Sequence, residues 1–400
     1  MLVEDVSVMV VEDDAFQRRM LVRILTDMGV KKIDQAPEGN SALNMLLDRI
    51  EPIDIVISDL DMPTMDGMEL IRHLGAQQSV GSVIVTSGLD PSLINSVETM
   101  ARAYGIDLLG GIEKPVTQPK LGRLFKRFLL EGASKQVGES GPTFTLDEIR
   151  EGIESLEFYP YYQPKVEIAT GRVVGAEALV RWLHPKHGVI LPANFIPQIE
   201  EADLVDELTW NILAGAATHC RRLREHGFDM SVAVNLSLKS LTNTGIAERV
   251  MEILRGAGIE PCHIILEVTE TAAISNVGHV LENLARLRMK GLGLAIDDYG
   301  TGYSSMQQLS RIPFTELKID RSFVADAARQ ERLKVMVSAS LDMTRKLGLK
   351  SVAEGVENRT DWELLVRLKC DIAQGYFIAK PMPYEALCEW VPNWVSPQHR

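Results

Sequence analysis

Acidic side chains close one short apolar run after another in the C-terminal part of this sequence. Glu177 follows Gly175 and Ala176, Asn235 ends a Val-Ala-Val run, and Glu267 and Glu270 flank Val268 and Thr269. Asp297 and Asp298 follow Ala295 and Ile296, and Lys318 and Asp320 sit either side of Ile319. Glu354 and Glu357 bracket Gly355 and Val356, and Gln374 follows Ile372 and Ala373. A set of Glu, Asp and Asn with neither His nor Cys is hard-oxygen ligation, suited to Mg2+, Mn2+ or Ca2+ rather than zinc. So many carboxylates cannot stay ionised side by side without cations. Two divalent ions sharing one carboxylate are the simplest solution, and such a pair clamps a phosphodiester and acidifies a water for in-line attack. Lys318 has the charge to position that water or to stabilise charge on phosphorus. Any one of these acids alone is as readily structural; together they form too large a buried charge cluster for that.

A smaller constellation lies near the N-terminus. Glu12 and Asp13 end an apolar run over residues 6–11, and Asp59 ends another over 53–58, ahead of Asp61, Met62, Pro63, Asp66 and Gly67. In a parallel sheet such ends share the edge where ligands bind. Three carboxylates there repel one another unless Mg2+ sits among them, and that ion would polarise an incoming phosphoryl group for attack by Asp59. Ser87 and Lys114 add a hydroxyl and a cation at the same edge.

Holding these groups in place calls for two α/β domains. Up to about Phe128, short apolar runs (6–11, 53–58, 82–87) alternate with helical spacing over 16–28, 69–74 and 91–104. That alternation predicts a doubly wound, five-stranded parallel sheet covered on both faces, spanning residues 1–128. Residues 129–143 read as a linker, because 131–142 are polar, rich in Gly and Ser, and aperiodic. Thr145, with Glu148 three residues on, predicts a capping box opening a helix through Leu156. Eight strand candidates follow within 144–396, at 161–166, 173–182, 230–236, 264–268, 292–297, 316–319, 351–353 and 372–378. Most intervals can hold a helix, so a (β/α)8 barrel of TIM type is expected, its chemistry at the C-terminal ends of the strands. An open doubly wound sheet is the alternative.

Composition narrows the partners. Across 400 residues, 46% hydrophobic and 24% charged, there is core enough for two domains. A formal net charge of −13 argues against a nucleic-acid polymer and leaves room for a small phosphate ligand with divalent metal. Cys220, Cys262, Cys370 and Cys388 are widely spaced, as in reduced structural thiols, and no basic-then-apolar leader or bilayer-length apolar run is evident. A cytoplasmic protein with no DNA and no membrane partner is the expectation. His184 and His187 read as part of a turn beside Gly188, and Trp210, Trp362, Trp390 and Trp394 as core or interface residues.

The string from Asp59 through Met62, Pro63, Asp66 and Gly67 resembles the flavodoxin-like receiver domain of response regulators, over residues 6–128. The resemblance implies that Asp59 is phosphorylated by a sensor histidine kinase or phosphotransfer protein. It also implies that Glu12 and Asp13 hold Mg2+, Ser87 senses the phosphate and Lys114 pairs with it. Gly111 departs from the pattern, standing where receivers commonly carry Tyr or Phe. The usual aromatic relay is therefore not expected, and the signal would leave by another surface or by assembly.

From about Phe158 to Pro383 the strings are similar to the EAL-type cyclic di-GMP phosphodiesterases. They include Glu177-Ala178-Leu179 itself, then Arg181, Trp182, His184, Pro185, Gly188 and Pro192. The resemblance implies hydrolysis of cyclic di-GMP to linear pGpG with two Mg2+ or Mn2+ ions, lowering the dinucleotide in signalling of the biofilm and motility kind. Glu177, Asn235, Glu267 and Asp297 would ligate one metal, and Asp297 would bridge to a second completed by Asp298 and Glu354. Lys318 would hold the nucleophilic water, so that Lys318, Glu354 and Glu177 carry catalysis. Gln163, Arg181, Asp320 and Gln374 would bind substrate, with Asp320 and Glu357 also orienting the ligands. Glu270 would anchor the loop over 298–305. Tyr299 replaces the usual Phe, keeping the ring and adding a hydroxyl. A dimer or tetramer formed through the barrel is implied as well.

Two other functions compete. A non-catalytic receptor for the dinucleotide would fit the altered receiver relay, and tight binding without product would mark it. A DNA-binding regulator has no short basic helical module to support it.

Overall fold

The structure is a computed structural model. It describes the chain apart from residues 1–2, 48, 50–51, 78–79, 89–96, 98–99, 102–103, 139–143, 270–277, 301–311 and 398–400. It divides into two compact units, Met1–Gly141 and Pro142–Arg400.

In the first unit, five parallel strands take the order β2-β1-β3-β4-β5: β1 Ser7–Val11, β2 Lys32–Ala36, β3 Ile53–Asp59, β4 Val80–Ser87 and β5 Asp107–Glu113. Two separate apolar clusters lie on its two faces. Met9, Val11, Val56, Val83 and Val85 belong to one, and Val8, Val10, Ile55, Ile57 and Ile84 to the other. Successive side chains of a strand point to opposite faces, so near-continuous apolar strands bury both. Helix α1 (Ala15–Asp27) starts where the Asp14 carboxylate accepts from the amides of Phe16 and Gln17, as an N-cap should. Helices α2 (Gly39–Leu47), α3 (Gly67–Gln77) and α4 (Gln118–Gly138) follow. Helix α4 runs into the stretch read as linker, because Glu131, Ala133, Lys135 and Gln136 are good helix formers and outweigh Gly132, with Gly138 at its end. The helix expected over 91–104 lies largely outside the described residues.

The second unit opens with α5 (Leu146–Glu154). Thr145 Oγ1 accepts from the Glu148 amide at 3.2 Å while the Glu148 carboxylate accepts from the Thr145 amide at 2.8 Å, the reciprocal capping box. Eight strands then close a barrel: β6 Phe158–Glu167, β7 Val173–His184, β9 Ser231–Asn235, β10 Ile264–Thr269, β11 Gly293–Tyr299, β12 Glu316–Ile319, β13 Lys350–Ala353 and β14 Ile372–Ala373. A short β8 (Gly188–Ile190) folds back on β7. Helices α6 (Val205–Glu225), α7 (Ile246–Ala257), α8 (Gly278–Met289), α9 (Glu331–Leu347), α10 (Arg359–Leu368) and α11 (Tyr384–Asn393) lie among the strands in sequence. Helix α9 shows the local logic: Val337, Leu341 and Thr344 bury one face at helical spacing, and Gly348 ends it at φ 68°. That left-handed cap is one only Gly adopts cheaply.

The barrel departs from (β/α)8 in one respect. β6 runs antiparallel to both neighbours, β7 and β14, and reaches β7 by a tight turn rather than through a helix. The last strand stops at Ala373 instead of 378, where the chain turns: the Gln374 carbonyl accepts from the Val356 amide and the Val356 carbonyl from the Phe377 amide. Period-2 alternation sorts the side chains. Val232, Val234, Leu266, Val268, Leu294, Ile296, Leu317 and Ile319 join the large core, while Ala233, Ile265 and Ala295 form a small cluster of their own. The second set shares its strand face with Asn235, Glu267, Asp297 and, on β12, Lys318. Each fully buried Leu, Ile or Val contributes about 1.5–3 kcal/mol, so a one-residue register slip would expel the large core and is forbidden. No helix among the described residues is long and apolar enough to cross a membrane.

Candidate active site

Parallel register brings the strand-end residues to one rim. Glu177 pairs with Ala233, Glu267 with both Asn235 and Ala295, and Lys318 with Val352. Lys318 is 1% exposed and occupies the centre. Its Nζ lies 2.7 Å from Glu267 Oε2, 2.7 Å from Glu354 Oε1, 2.8 Å from Asp297 Oδ1 and 3.3 Å from Glu177 Oε2. Asn235 Nδ2 donates to Glu177 Oε1 at 3.1 Å. Gln374 Nε2 donates to Glu177 Oε2 at 2.6 Å and to Gln163 Oε1 at 2.9 Å, and Gln163 Nε2 donates to the Ala379 carbonyl. Gln163, Glu177, Asp297, Lys318, Glu354 and Gln374 line a cavity of about 270 Å3, together with Leu179, Asp298, Arg321, Gly355, Glu357, Gly375 and Tyr376.

Five carboxylates (Glu177, Glu267, Asp297, Asp298, Glu354) face two ammoniums here, Lys318 and Lys165. The imbalance sets their acidities. Burial, reinforced by Glu177, pushes Glu267 up to about 7, and burial with Asp297 pushes Asp298 up to about 6. Burial likewise lifts Glu354 to about 8. Burial acts on Glu177 too, but Lys318, Lys165 and the donors Gln374 and Asn235 outweigh it and hold that carboxyl down at about 2. Lys318 stays well above the ordinary lysine range, since the surrounding acids overcome its desolvation.

The donor set suits hard divalent cations. Oxygens of Glu177, Glu267 and Asp297 lie within 4.8 Å of one another, as do those of Asp297, Asp298 and Glu354, so Asp297 belongs to both groups. Gln374 Oε1 is buried without a partner among the described residues, an acceptor left for a ligand donor. Asp298 has φ +55°, a conformation uncommon outside Gly, Asn and Asp, where β11 and β12 shift register. Tyr299 donates its hydroxyl to Met343 Sδ at 3.5 Å, so the extra group is absorbed by packing.

Other expected residues are placed differently. Arg181 donates to the Val180 carbonyl and lies 5.8 Å over the Tyr161 ring, to one side of the acids. Asp320 caps the short helix Arg321–Val324 by accepting from the Ser322 amide, and its charge bears on Asp298. Glu357 pairs with Arg321 at 2.5 Å on the cavity wall. Glu270 and residues 301–305 lie outside the described residues. Lys165 was not foreseen: its Nζ lies 2.6 Å from Glu267 Oε1. The available signal was a lysine two positions after Gln163 within a strand, hence on the same face.

The N-terminal edge assembles in the same way. Lys114 Nζ lies 2.5 Å from Asp59 Oδ2 and 2.9 Å from Glu12 Oε2. Glu12, Asp13 and Asp59 converge within 4.8 Å, and Glu12 Oε1 is buried without a partner among the described residues, which fits a cation there. Burial lifts the Glu12 carboxyl, while Asp59 and Glu12 overcome the desolvation of Lys114 and raise it. Ser87 is buried at the end of β4, its carbonyl accepting from the Lys114 amide. Gly67 packs so closely under this site that a Cβ would fall 2.3 Å from the Asp59 carbonyl. Gly111 sits on β5 opposite Val85, so no aromatic ring occupies the relay position.

Comparison with known proteins follows these two sites. Residues 146–381 match the EAL domain family and residues 8–126 the response regulator receiver domain. The cyclic di-GMP phosphodiesterase RocR of Pseudomonas aeruginosa (strain PAO1) is 35% identical over 388 residues, covering 96% of this chain and 98% of its own. MucR of the same organism, a bifunctional diguanylate cyclase/cyclic di-GMP phosphodiesterase, is 40% identical over 60% of this chain and 36% of its own. The solved c-di-GMP complex of the PaMucR phosphodiesterase superposes with a TM-score of 0.58 at 40% identity, covering 60% of this chain and 98% of that one. This chain therefore belongs to the EAL domain family, in the form that carries a response regulator receiver domain ahead of the barrel.

Proposed function

We propose that the chain is a receiver-regulated phosphodiesterase that hydrolyses cyclic di-GMP to linear pGpG with divalent metal, Mg2+ or Mn2+. The observation that carries this is the ring of acids around Lys318, with Asp297 common to two oxygen clusters. Glu177, Asn235, Glu267 and Asp297 would hold one ion, and Asp297, Asp298 and Glu354 the other. When bound, such ions supply Lewis-acid polarisation of the phosphate and an acidified water. The chain's own residues do the rest. Lys318 Nζ, a buried donor in the middle of the rim, would orient the attacking water or neutralise charge on a phosphoryl oxygen. Gln374 and Gln163 would bind the dinucleotide through their amides, Gln374 Oε1 accepting from it, with Arg181 bordering the site. Glu177, held ionised by Lys318 and Lys165, keeps a fixed negative charge in the mouth.

In the receiver, Asp59 would accept a phosphoryl group from a sensor histidine kinase or phosphotransfer protein. Glu12 and Asp13 would hold Mg2+, Ser87 would sense the phosphate and Lys114 would pair with it. Glu270 would anchor the loop over 298–305. A cytoplasmic setting and self-association as a dimer or tetramer belong to the same reading. The test is incubation of purified full-length protein with cyclic di-GMP and Mg2+ or Mn2+, with the product identified. Linear pGpG is expected. Tight binding without any product across metals and both receiver states would instead make the barrel a receptor.

A further inference from the structure

The mouth of this barrel does not rest on an apolar floor. Closed barrels of this type fill their interior with layers of bulky branched side chains. Beneath the acids here are Gly175, Ala233, Ala295 and one branched residue, Ile265, with two charged ones, Lys165 and Glu316. Lys165 is 3% exposed and Glu316 5%. Register places Lys165 opposite Gly175 on the same strand face, and a Cβ on Gly175 would meet the Ser231 carbonyl of β9 at 2.8 Å. Glu316 Oε2 is buried with no hydrogen-bond partner among the described residues, and its charge acts on the Lys165 ammonium. Glu267, fully buried, is gripped at both oxygens, at Oε1 by Lys165 (2.6 Å) and at Oε2 by Lys318 (2.7 Å). Lys165 does not line the cavity.

We propose that Lys165 is a positioning residue: its ammonium pins Glu267 Oε1 so that the carboxylate presents one fixed face to a divalent cation in the mouth. The proposal rests on the metal-dependent reading given above. Two effects oppose each other. The ammonium repels a divalent cation, but it also fixes the ligand that the cation needs. The contact with Glu267 is direct, whereas the cation would lie beyond the carboxylate, so pinning dominates. Outer partners of metal ligands typically carry about 10–100-fold in affinity.

The test is Mn2+ titration of the full-length chain, followed by the electron paramagnetic resonance signal of free Mn2+. Sites lost in Glu177→Gln identify those of the barrel. In Lys165→Met, which removes the charge at similar length, these sites should weaken by about 10–100-fold with an unaltered circular dichroism spectrum. The Mn2+ half-saturation of hydrolysis should rise in step, while KM for cyclic di-GMP at saturating Mn2+ stays put. Unchanged or tighter Mn2+ binding by folded Lys165→Met overturns the proposal. Should that variant not fold, Lys165→Gln, which keeps a shorter donor, is read by the same two outcomes. A wild type without Glu177-dependent Mn2+ sites would bring down the metal reading itself. Their presence, unaltered in the variant, removes the pinning alone.

Discussion

Replacing Lys318 by Met removes a cation that touches four carboxylates at once. Deleting one partner of a buried ion pair costs about 3–5 kcal/mol because the other charge stays buried and uncompensated. The acids around Lys318 have an escape, since they can take up protons, and this makes the loss depend on pH. Glu267, Asp298 and Glu354 stand at about 7, 6 and 8, above their ordinary values. A carboxyl raised on folding binds protons more tightly in the native state. It therefore lowers stability as pH rises from the ordinary carboxylate range through the folded value, and levels off above it. Without Lys318 those values climb further, so at about pH 6 these three acids are largely protonated and less is lost, whereas at about pH 8.5 a much larger part of the penalty appears. Thermal unfolding of the full-length variant in chelator should then lose roughly 6–20 °C at the higher pH and much less at the lower. Mn2+ should restore most of the stability by supplying the missing positive charge. Turnover should stay depressed by about 100–1,000-fold or more even with Mn2+, because the donor at the centre of the rim is gone. Equal destabilisation at both pH values, or near-wild-type turnover with Mn2+, would refute the reasoning.

Glu177→Gln should keep its fold, since Asn235 and Gln374 can rearrange around an amide, yet lose cyclic di-GMP hydrolysis by at least about 1,000-fold in a product assay. Mn2+ uptake by the metal-free protein should release protons between about pH 6 and 8, where Asp298, Glu267 and Glu354 still carry them; a calorimetric titration in buffers of different ionisation enthalpy would measure it. Gly67→Ala puts a Cβ 2.3 Å from the Asp59 carbonyl, so it should destabilise the receiver by about 1–3 kcal/mol and slow phosphoryl uptake from a small phosphodonor. Asp59→Ala should abolish any change in turnover that the phosphodonor causes in the wild type; identical rates throughout would show the receiver uncoupled from the barrel.

Much of this architecture was legible because parallel strands announce themselves twice, as buried apolar runs and as polar groups at their ends. Glu267 follows Leu266, Asp297 follows Ile296 and Lys318 follows Leu317, and in each case the polar residue is gathered at the rim. Asp320 follows Ile319 just as neatly, and one of its carboxylate oxygens caps a short helix by accepting from the Ser322 amide. Spacing cannot tell a cap from a substrate contact, since both put an acid just past a strand. β2 escaped notice because its Lys-Ile-Asp-Gln-Ala sequence is an edge strand, half open to water, with no apolar run to betray it. The end of helix α4 reads as linker in the sequence because of glycines and a serine whose propensity cost is small against a whole helix.

The reversed strand explains the remaining gap. On β7 and β9–β14, later residues lie nearer the mouth, so searching the ends of apolar runs finds the site. On β6 the order is inverted: Gln163 stands level with Glu177, and Lys165, two residues later, lies deeper, level with Gly175. A lysine in the middle of that strand therefore looks from the sequence like a solvent-facing interruption of an apolar run. In the fold it is the counter-charge beneath Glu267. Reversal has a second consequence. A parallel first strand would need a crossover helix before β7, and the two strands could not exchange the close antiparallel pairs that set Gln163 beside Glu177. The antiparallel start thus places a cavity-lining amide and a buried cation on one short segment, the first opposite Glu177 and the second opposite Gly175.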